Sequence, residues 1–310
     1  MKYWKEYNGH RPDIRGQKKK YDNTIYTFDI ETTSFLLLDN NQIPPDKYLD
    51  LSEKDQQDSI AMSNMYIWMM GINEDVYYGR TWIELRYFLD RIEMLSCKEK
   101  KYCYVHNLSY EFQFLRNIFK IKKIFSRKSR KVMKCELEDF NFEFRCSYYM
   151  SGVSLEKLAD IYQLNTKKLV GELDYNIQRN SKTELTTQEL AYCENDCLVV
   201  YEYILEELKQ YKNLKSIPLT STGHVRKELK DLISEDYKYK NYVRNSVNKD
   251  PHIYNLLIQA FMGGYTHANW ILADEIIKDV DSFDFTSSYP FCMVSYKYPR
   301  IYFQKMLYKN

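Results

Sequence analysis

The sequence predicts a mixed α/β fold, and three observations predict it. Runs rich in β-branched and aromatic residues interleave with runs of helical period along the first two thirds of the chain. One alternating segment doubles back around a polar turn, which adds an antiparallel hairpin. Hydrophobic residues make up 44% of 310, enough to bury a core in one large domain or two ordinary ones.

The elements follow in chain order. Residues 1–22 are polar and basic and read as a loose lead-in, with no apolar stretch of the secretory kind. TIYTFDIETT, ending at Thr33, reads as a buried strand running into a polar turn. MYIWMMGINEDVYYG gives two strands joined at Asn73–Asp75, and TWIELRYFLDRIEML a helix. KYCYVHNLS is a strand, and YEFQFLRNIFK the helix after it. KVMKCELEDFNFEFRCSYYM alternates around Asp139–Asn141 as a hairpin. SLEKLADIYQL is a helix with Ser154 suited to its N-cap, and a long helix starts at Thr186 or Thr187 with Glu189 nearby. KNLKSIPLTSTG then reads as a linker, followed by helical segments, a GGY turn and a last strand, VDSFDFTSSYP. The expected organisation is a lead-in over 1–22, a domain over 23–212 and a second region over 213–310.

The bulk charge is only +2, which does not mark a polyanion binder. The local distribution says more: Lys120 to Lys134 holds no acid, which suits either phosphate contact or a solvated basic loop. The 30 tyrosines have two readings, base stacking or the bias of AT-rich coding sequence that also enriches Lys, Asn and Ile. Seven scattered cysteines without a CxxC pair point to free thiols in a reducing compartment. No apolar run is long enough to span a membrane, so a cytoplasmic protein without membrane contact is expected.

Carboxylates carry the chemistry. Asp29 and Glu31 are one residue apart on a strand, so both point to one face. Two such acids repel unless they share divalent cations, which prefer oxygen ligands. Tyr192 and Asp196 lie one helical turn apart, and Glu111 begins a helix after an asparagine-bearing turn. Each piece alone is weak, since a D-x-E on a strand is commonly a solvated edge. Their order along the chain is the informative part.

TFDIETTSF, HNLSYEFQFL and AYCENDCLVVYEYI resemble the three exonuclease motifs of family B DNA polymerases, most closely the protein-primed phage type. By position, Asp29 and Glu31 occupy the first motif, Asn107, Tyr110 and Glu111 the second, Tyr192 and Asp196 the third. The resemblance implies an RNase H-like 3'→5' exonuclease domain, with Asp29, Glu31, Glu111 and Asp196 holding two Mg²⁺ or Mn²⁺ ions. It implies that Tyr192 orients a water and that Asn107 helps hold the terminal nucleotide; the Tyr110 ring suits stacking on terminal bases. A Ser/Thr–Leu element for single-stranded DNA is implied too, matched either by Ser147–Tyr148 or by Ser154–Leu155; helix capping is the competing use of Ser154. For Phe112, core packing is expected over base stacking. The second motif departs from the family by ending in Glu111 instead of Asp. GELDY, residues 171–175, is similar to a family stretch preceded by Lys; here Val170 stands there, with Lys167 and Lys168 upstream as substitutes.

AFMGGYTHANW resembles the Y-x-G-G segment between exonuclease and polymerase domains, which makes Phe261, Gly263, Gly264 and Tyr265 candidates for DNA contact. DFTSSYP resembles polymerase motif A, D-x-x-S-L-Y-P. The resemblance implies metal binding by Asp284, triphosphate contact by Ser287 and the Ser288 backbone, and sugar selection by Tyr289. The family's Y-x-D-T-D, K-x-x-x-N-S-x-Y-G and K-x-Y elements do not follow before Asn310, so primer extension by this chain alone is expected to fail. Expected partners are a single-stranded 3' end, primer-template DNA, dNTP if the polymerase domain is completed, and a terminal protein primer, in a phage or mobile-element setting. The alternatives are a stand-alone exonuclease of the same fold, or a non-catalytic module docking single strands or terminal protein.

Overall fold

The computed structural model describes residues 1–169, 177–246, 250–260, 270–272 and 275–297. Val170, the GELDY stretch at 171–175, and Phe261, Gly263, Gly264 and Tyr265 lie outside those residues. The chain divides into two units, Met1–Lys227 and Glu228–Asn310.

The strands are β1 (Lys2–Tyr3), β2 (Ile14–Arg15), β3 (Tyr21–Leu38), β4 (Asn41–Ile43), β5 (Ile60–Ile72), β6 (Asp75–Gly79), β7 (Lys100–Val105), β8 (Ile121–Ser126), β9 (Val132–Leu137) and β10 (Phe142–Cys146). The helices are α1 (Glu53–Asp58), α2 (Trp82–Leu95), α3 (Glu111–Ile118), α4 (Ser147–Ser151), α5 (Leu155–Ile161), α6 (Thr187–Gln210), α7 (Ser221–Glu235), α8 (Tyr237–Ser246), α9 (Pro251–Ala260) and α10 (Ser288–Ser295). One mixed sheet runs β1-β6-β5-β3-β7-β10-β9-β8, with β2 and β4 also on β3. β7 is parallel to β3 and β10, whereas β5 is antiparallel to β3. This is the mixed α/β class the interleaved periods predict.

β3 sits between β5 and β7, covered on both faces, so its sequence is nearly continuously buried rather than alternating. One core gathers Phe28, Ile30 and Trp68 with Leu85, Phe88 and Leu89 of α2. A second packs Tyr104 and Ile25 against Val199, Val200 and Tyr203 of α6. α6 therefore lies on the sheet with Cys193 and Cys197 inward, in a third cluster with Tyr66 and Ile67. All seven cysteines are free. α6 starts as its sequence predicts: Thr186 and Glu189 form a reciprocal capping box.

Four local expectations are corrected. The lead-in is not loose, because Trp4 and Tyr7 are buried and β1 pairs in parallel with β6. The basic run is not a loop throughout: residues 121–126 form β8, hydrogen-bonded to β9. The stretch read as a linker is anchored, since Leu214 and Ile217 enter the second core and Asn23 Oδ1 accepts from the Leu214 N–H at 2.8 Å. VDSFDFTSSYP contains no strand. Residues 281–285 are irregular and α10 follows, and no described residue of Glu228–Asn310 is in a strand with which it could pair. No described helix is long and apolar enough to cross a membrane.

Candidate metal centre

Three carboxylates meet over β3. The pairing of β3 with β7 ends at Thr27 opposite Tyr104, while β3 continues. Asp29 and Glu31 thus emerge past the carboxyl ends of the parallel strands β7 and β10, where the flanking chain turns away and leaves a crevice. A β-bulge places two β5 residues, Tyr66 and Ile67, against the Glu31 step of β3. Asp196 arrives from the third turn of α6. Ligand oxygens of Asp29, Glu31 and Asp196 lie within 4.8 Å of one another, and this is the one such acidic group among the described residues.

The crevice has a volume of about 640 Å³. Of the sequence candidates, Asn107, Tyr110, Tyr148, Ser154, Leu155 and Tyr192 also line it. Asn107 has φ 69°, a left-handed conformation that asparagine tolerates better than most residues. The Tyr110 hydroxyl shares a hydrogen bond with Thr32 Oγ1. Ser154 occupies an N-cap backbone position, but its hydroxyl makes no capping bond. Ser147 is fully buried, and its hydroxyl bonds His106 Nδ1 at 3.1 Å, so it braces the crevice wall from behind. Phe112 packs in the first core, as expected.

Glu111 stands apart from the three-acid set. It opens α3, where the helix N-terminus favours negative charge, and is buried with Oε2 unpartnered among the described residues. It nevertheless acts on Asp29 as the foremost of three like charges. Burial raises all four carboxyl pKa values, and the crowding of like charges adds to it for Asp29, Glu31 and Glu111. Glu31 is pushed to about 7 by burial and Asp196, against the pull of Lys168 and Arg179. Glu111 is pushed to about 8, by burial first and then Glu31. Asp29 is raised well above the ordinary carboxylate range, by burial first and then by Glu111, Glu31 and Asp196.

Among the described residues, Lys168 forms an ion pair with the set: its Nζ lies 3.3 Å from Asp196 Oδ2. Lys167 turns elsewhere, to Asp160 and the Ala159 carbonyl, so of the two upstream lysines it is Lys168 that stands at the acids. Sequence reasoning passed over Thr32 and His106 and read Lys131 only as part of the basic run; all three line or brace the crevice. His106 was visible only as the residue before Asn107. Burial, with Lys168 nearby, lowers its pKa to about 4, so at neutral pH it is an uncharged hydrogen-bonding ring.

The donor set fits hard divalent cations. All ligands are carboxylate oxygens, Asp196 Oδ1 is buried and without a hydrogen-bond partner among the described residues, and the clustered acids raise the pKa of Asp29 and Glu31. Asp284 has no comparable company: it is exposed, and no acid among the described residues completes a group with it. Ser287, Ser288 and Tyr289 are exposed around the start of α10, with Ser287 at φ 54°.

Residues 168–309 match the family model for "DNA polymerase type B, organellar and viral". The DNA polymerase of Bacillus phage M2 is 22% identical over 89% of this chain and 45% of its own length. That of Bacillus phage phi29 is 28% identical over 46% of this chain and 23% of its own. The chain therefore spans less than half the length of the relatives it matches. Among solved structures, phi29 DNA polymerase complexed with primer-template DNA and incoming nucleotide has a TM-score of 0.57 at 17% identity. It covers 81% of this chain and 41% of the other, a likeness of fold.

Proposed function

We infer, for a chain that is a relative of the type B DNA polymerases of phages, that its acidic crevice is a 3'→5' exonuclease site acting on single-stranded DNA. The observation that carries the reading is the convergence of Asp29, Glu31 and Asp196 from two separate elements into one crevice. Acids so crowded are costly to a fold unless cations compensate them.

Asp29, Glu31 and Asp196 would hold the divalent ions, with Glu111 behind Asp29. Two such ions, Mg²⁺ or Mn²⁺, would supply Lewis acidity toward the scissile phosphate and its leaving oxygen. The residues of the chain do the rest. Tyr192, one turn before Asp196, orients the attacking water. Lys168 sets a positive charge beside Asp196, facing the phosphate. Asn107 and Tyr110 bracket the terminal nucleotide, with the Tyr110 ring fixed by Thr32. The unspent Ser154 hydroxyl, Leu155 and Tyr148 line the path of the nucleotides behind it.

The polymerase side of the reading rests on the match over residues 168–309 and on Asp284, Ser287, Ser288 and Tyr289, the motif A positions. There the substrates would be dNTP and primer-template DNA, with a terminal protein as primer, in a cell where phage-type DNA is replicated. We propose the first unit, Met1–Lys227, as the nuclease domain: it contains the expected 23–212, with the lead-in and residues 213–217 packed into the same cores.

The test is direct. Purified protein with Mn²⁺ should shorten a 5'-labelled single strand from its 3' end, and Asp29→Ala/Glu31→Ala should reduce cutting to background. A wild type that binds the strand and leaves it uncut, or a double variant that cuts at full rate, refutes the assignment.

A further inference from the structure

The acidic crevice opens beside a second cavity of opposite character. This cavity, of about 770 Å³, lies between the β8–β9 hairpin tip, α4 and the start of α7. Arg127, Lys128 and Lys131 supply one wall and Arg226 the other. No carboxylate lines it, and none of these four cations joins an ion pair among the described residues. Surface cations of a nearly neutral protein ordinarily sit among acids, so an uncompensated set around one concavity marks a place for a polyanion. Lys131 and Tyr148 line both cavities, so the two share a wall. Tyr148 packs edge-on against Tyr149, with centroids 5.7 Å apart, and is 39% exposed. Together the rings offer an aromatic surface between the acids and the cations.

We propose that this basic groove is a separate binding subsite for the backbone of single-stranded DNA, holding nucleotides several positions upstream of the 3' end. The arrangement rests on the reading of the acidic crevice as a 3'→5' exonuclease site. Hydrolysis needs only the last phosphodiester in the crevice. A strand longer than the crevice leaves through the shared wall at Lys131 and Tyr148, where Arg127, Lys128 and Arg226 meet its phosphates. The contacts are to phosphate and to ring faces, so the groove grips any sequence.

The subsite predicts length-dependent binding. The probes are 5'-fluorescent oligothymidylates of about three and about twelve nucleotides, bracketing the crevice alone and crevice plus groove. Binding is measured in Ca²⁺ across a salt series. Wild type should bind the longer probe more tightly by about tenfold or more, with a steeper salt dependence. Arg127→Ala/Arg226→Ala should collapse that ratio and flatten the long-probe salt slope by about 1.4, at about 0.7 per lost phosphate contact. Both side chains are exposed, so folding should persist, and an unchanged melting curve verifies it. Arg127→Glu/Arg226→Glu should weaken the long probe further. A double variant that keeps the wild-type length ratio and salt slope overturns the groove. Failure of wild type to cut either probe in Mn²⁺ refutes the nuclease reading instead, because the binding ratio is read without cleavage.

Discussion

Asp29, Glu31, Glu111 and Asp196 set the behaviour of the molecule at the scale of single residues. A carboxyl in the unfolded chain titrates near pH 4, whereas Glu31 is held at about 7 and Glu111 at about 8. Between those values the native state keeps protons that the unfolded state has released. Native stability therefore falls as pH rises through that window. His106 works oppositely, because its folded pKa of about 4 lies below the ordinary 6.5, so its contribution rises with pH until the free ring is neutral. The clean window is thus about pH 6.5 to 8. In EDTA the melting temperature should fall across it. Mn²⁺ should restore it, more at pH 8 than at pH 6.5, and Asp29→Asn/Glu31→Gln should flatten the slope. A metal-free melting temperature that is constant or rises from pH 6.5 to 8 contradicts the crowding of these acids. The D-x-E spacing and the helical Tyr192/Asp196 pair were legible because side-chain direction follows from local geometry. His106 and Lys131 were not, because what brings them to the acids is the β7 turn and the hairpin tip, which no local period encodes.

At the scale of elements, what held was whatever the local sequence specifies. The α6 capping box, the α2 period and the β5–β6 turn at Asn73, with φ 53°, are all local. What failed depends on partners. β8 is exposed along nearly its whole length and exists by pairing with β9, so it carries no alternation to read. Residues 213–217 look like a linker until Leu214 and Ile217 find the second core. The start of α6 carries one further non-local tie. Arg179 is buried, bonds Glu189 through Nε at 3.0 Å, and donates its backbone N–H to Thr33 Oγ1 at 2.9 Å. It thereby pins the chain entering α6 to β3, two residues past Glu31. Arg179→Ala leaves Glu189 with its capping bonds but without its cation, and should cost about 3 kcal/mol in urea unfolding. A loss under about 1 kcal/mol would mean that solvent already screens the pair.

At the scale of the molecule, burial is distributed unevenly. Every residue of the three hydrophobic cores lies between Met1 and Ile217. Among the described residues of Glu228–Asn310 no large hydrophobic side chain is buried, and Phe283, Phe285 and Val294 are among those exposed. Hydrophobic burial is the main favourable contribution to folding, so nearly all of the stabilisation visible here belongs to the first unit. The family match at 168–309 straddles the two: it takes in α6 with its catalytic candidates and also Asp284. A polypeptide of residues 1–235, ending with α7, keeps every core residue, the three crevice acids with Glu111, and the His224–Tyr211 bond of 2.7 Å. It should unfold cooperatively at a melting temperature close to that of the whole chain and cut single-stranded DNA at a comparable rate. Loss of cooperative unfolding in the shorter chain would show that residues beyond α7 supply part of the core. Retained folding with lost cutting would place part of the nuclease function in the second unit.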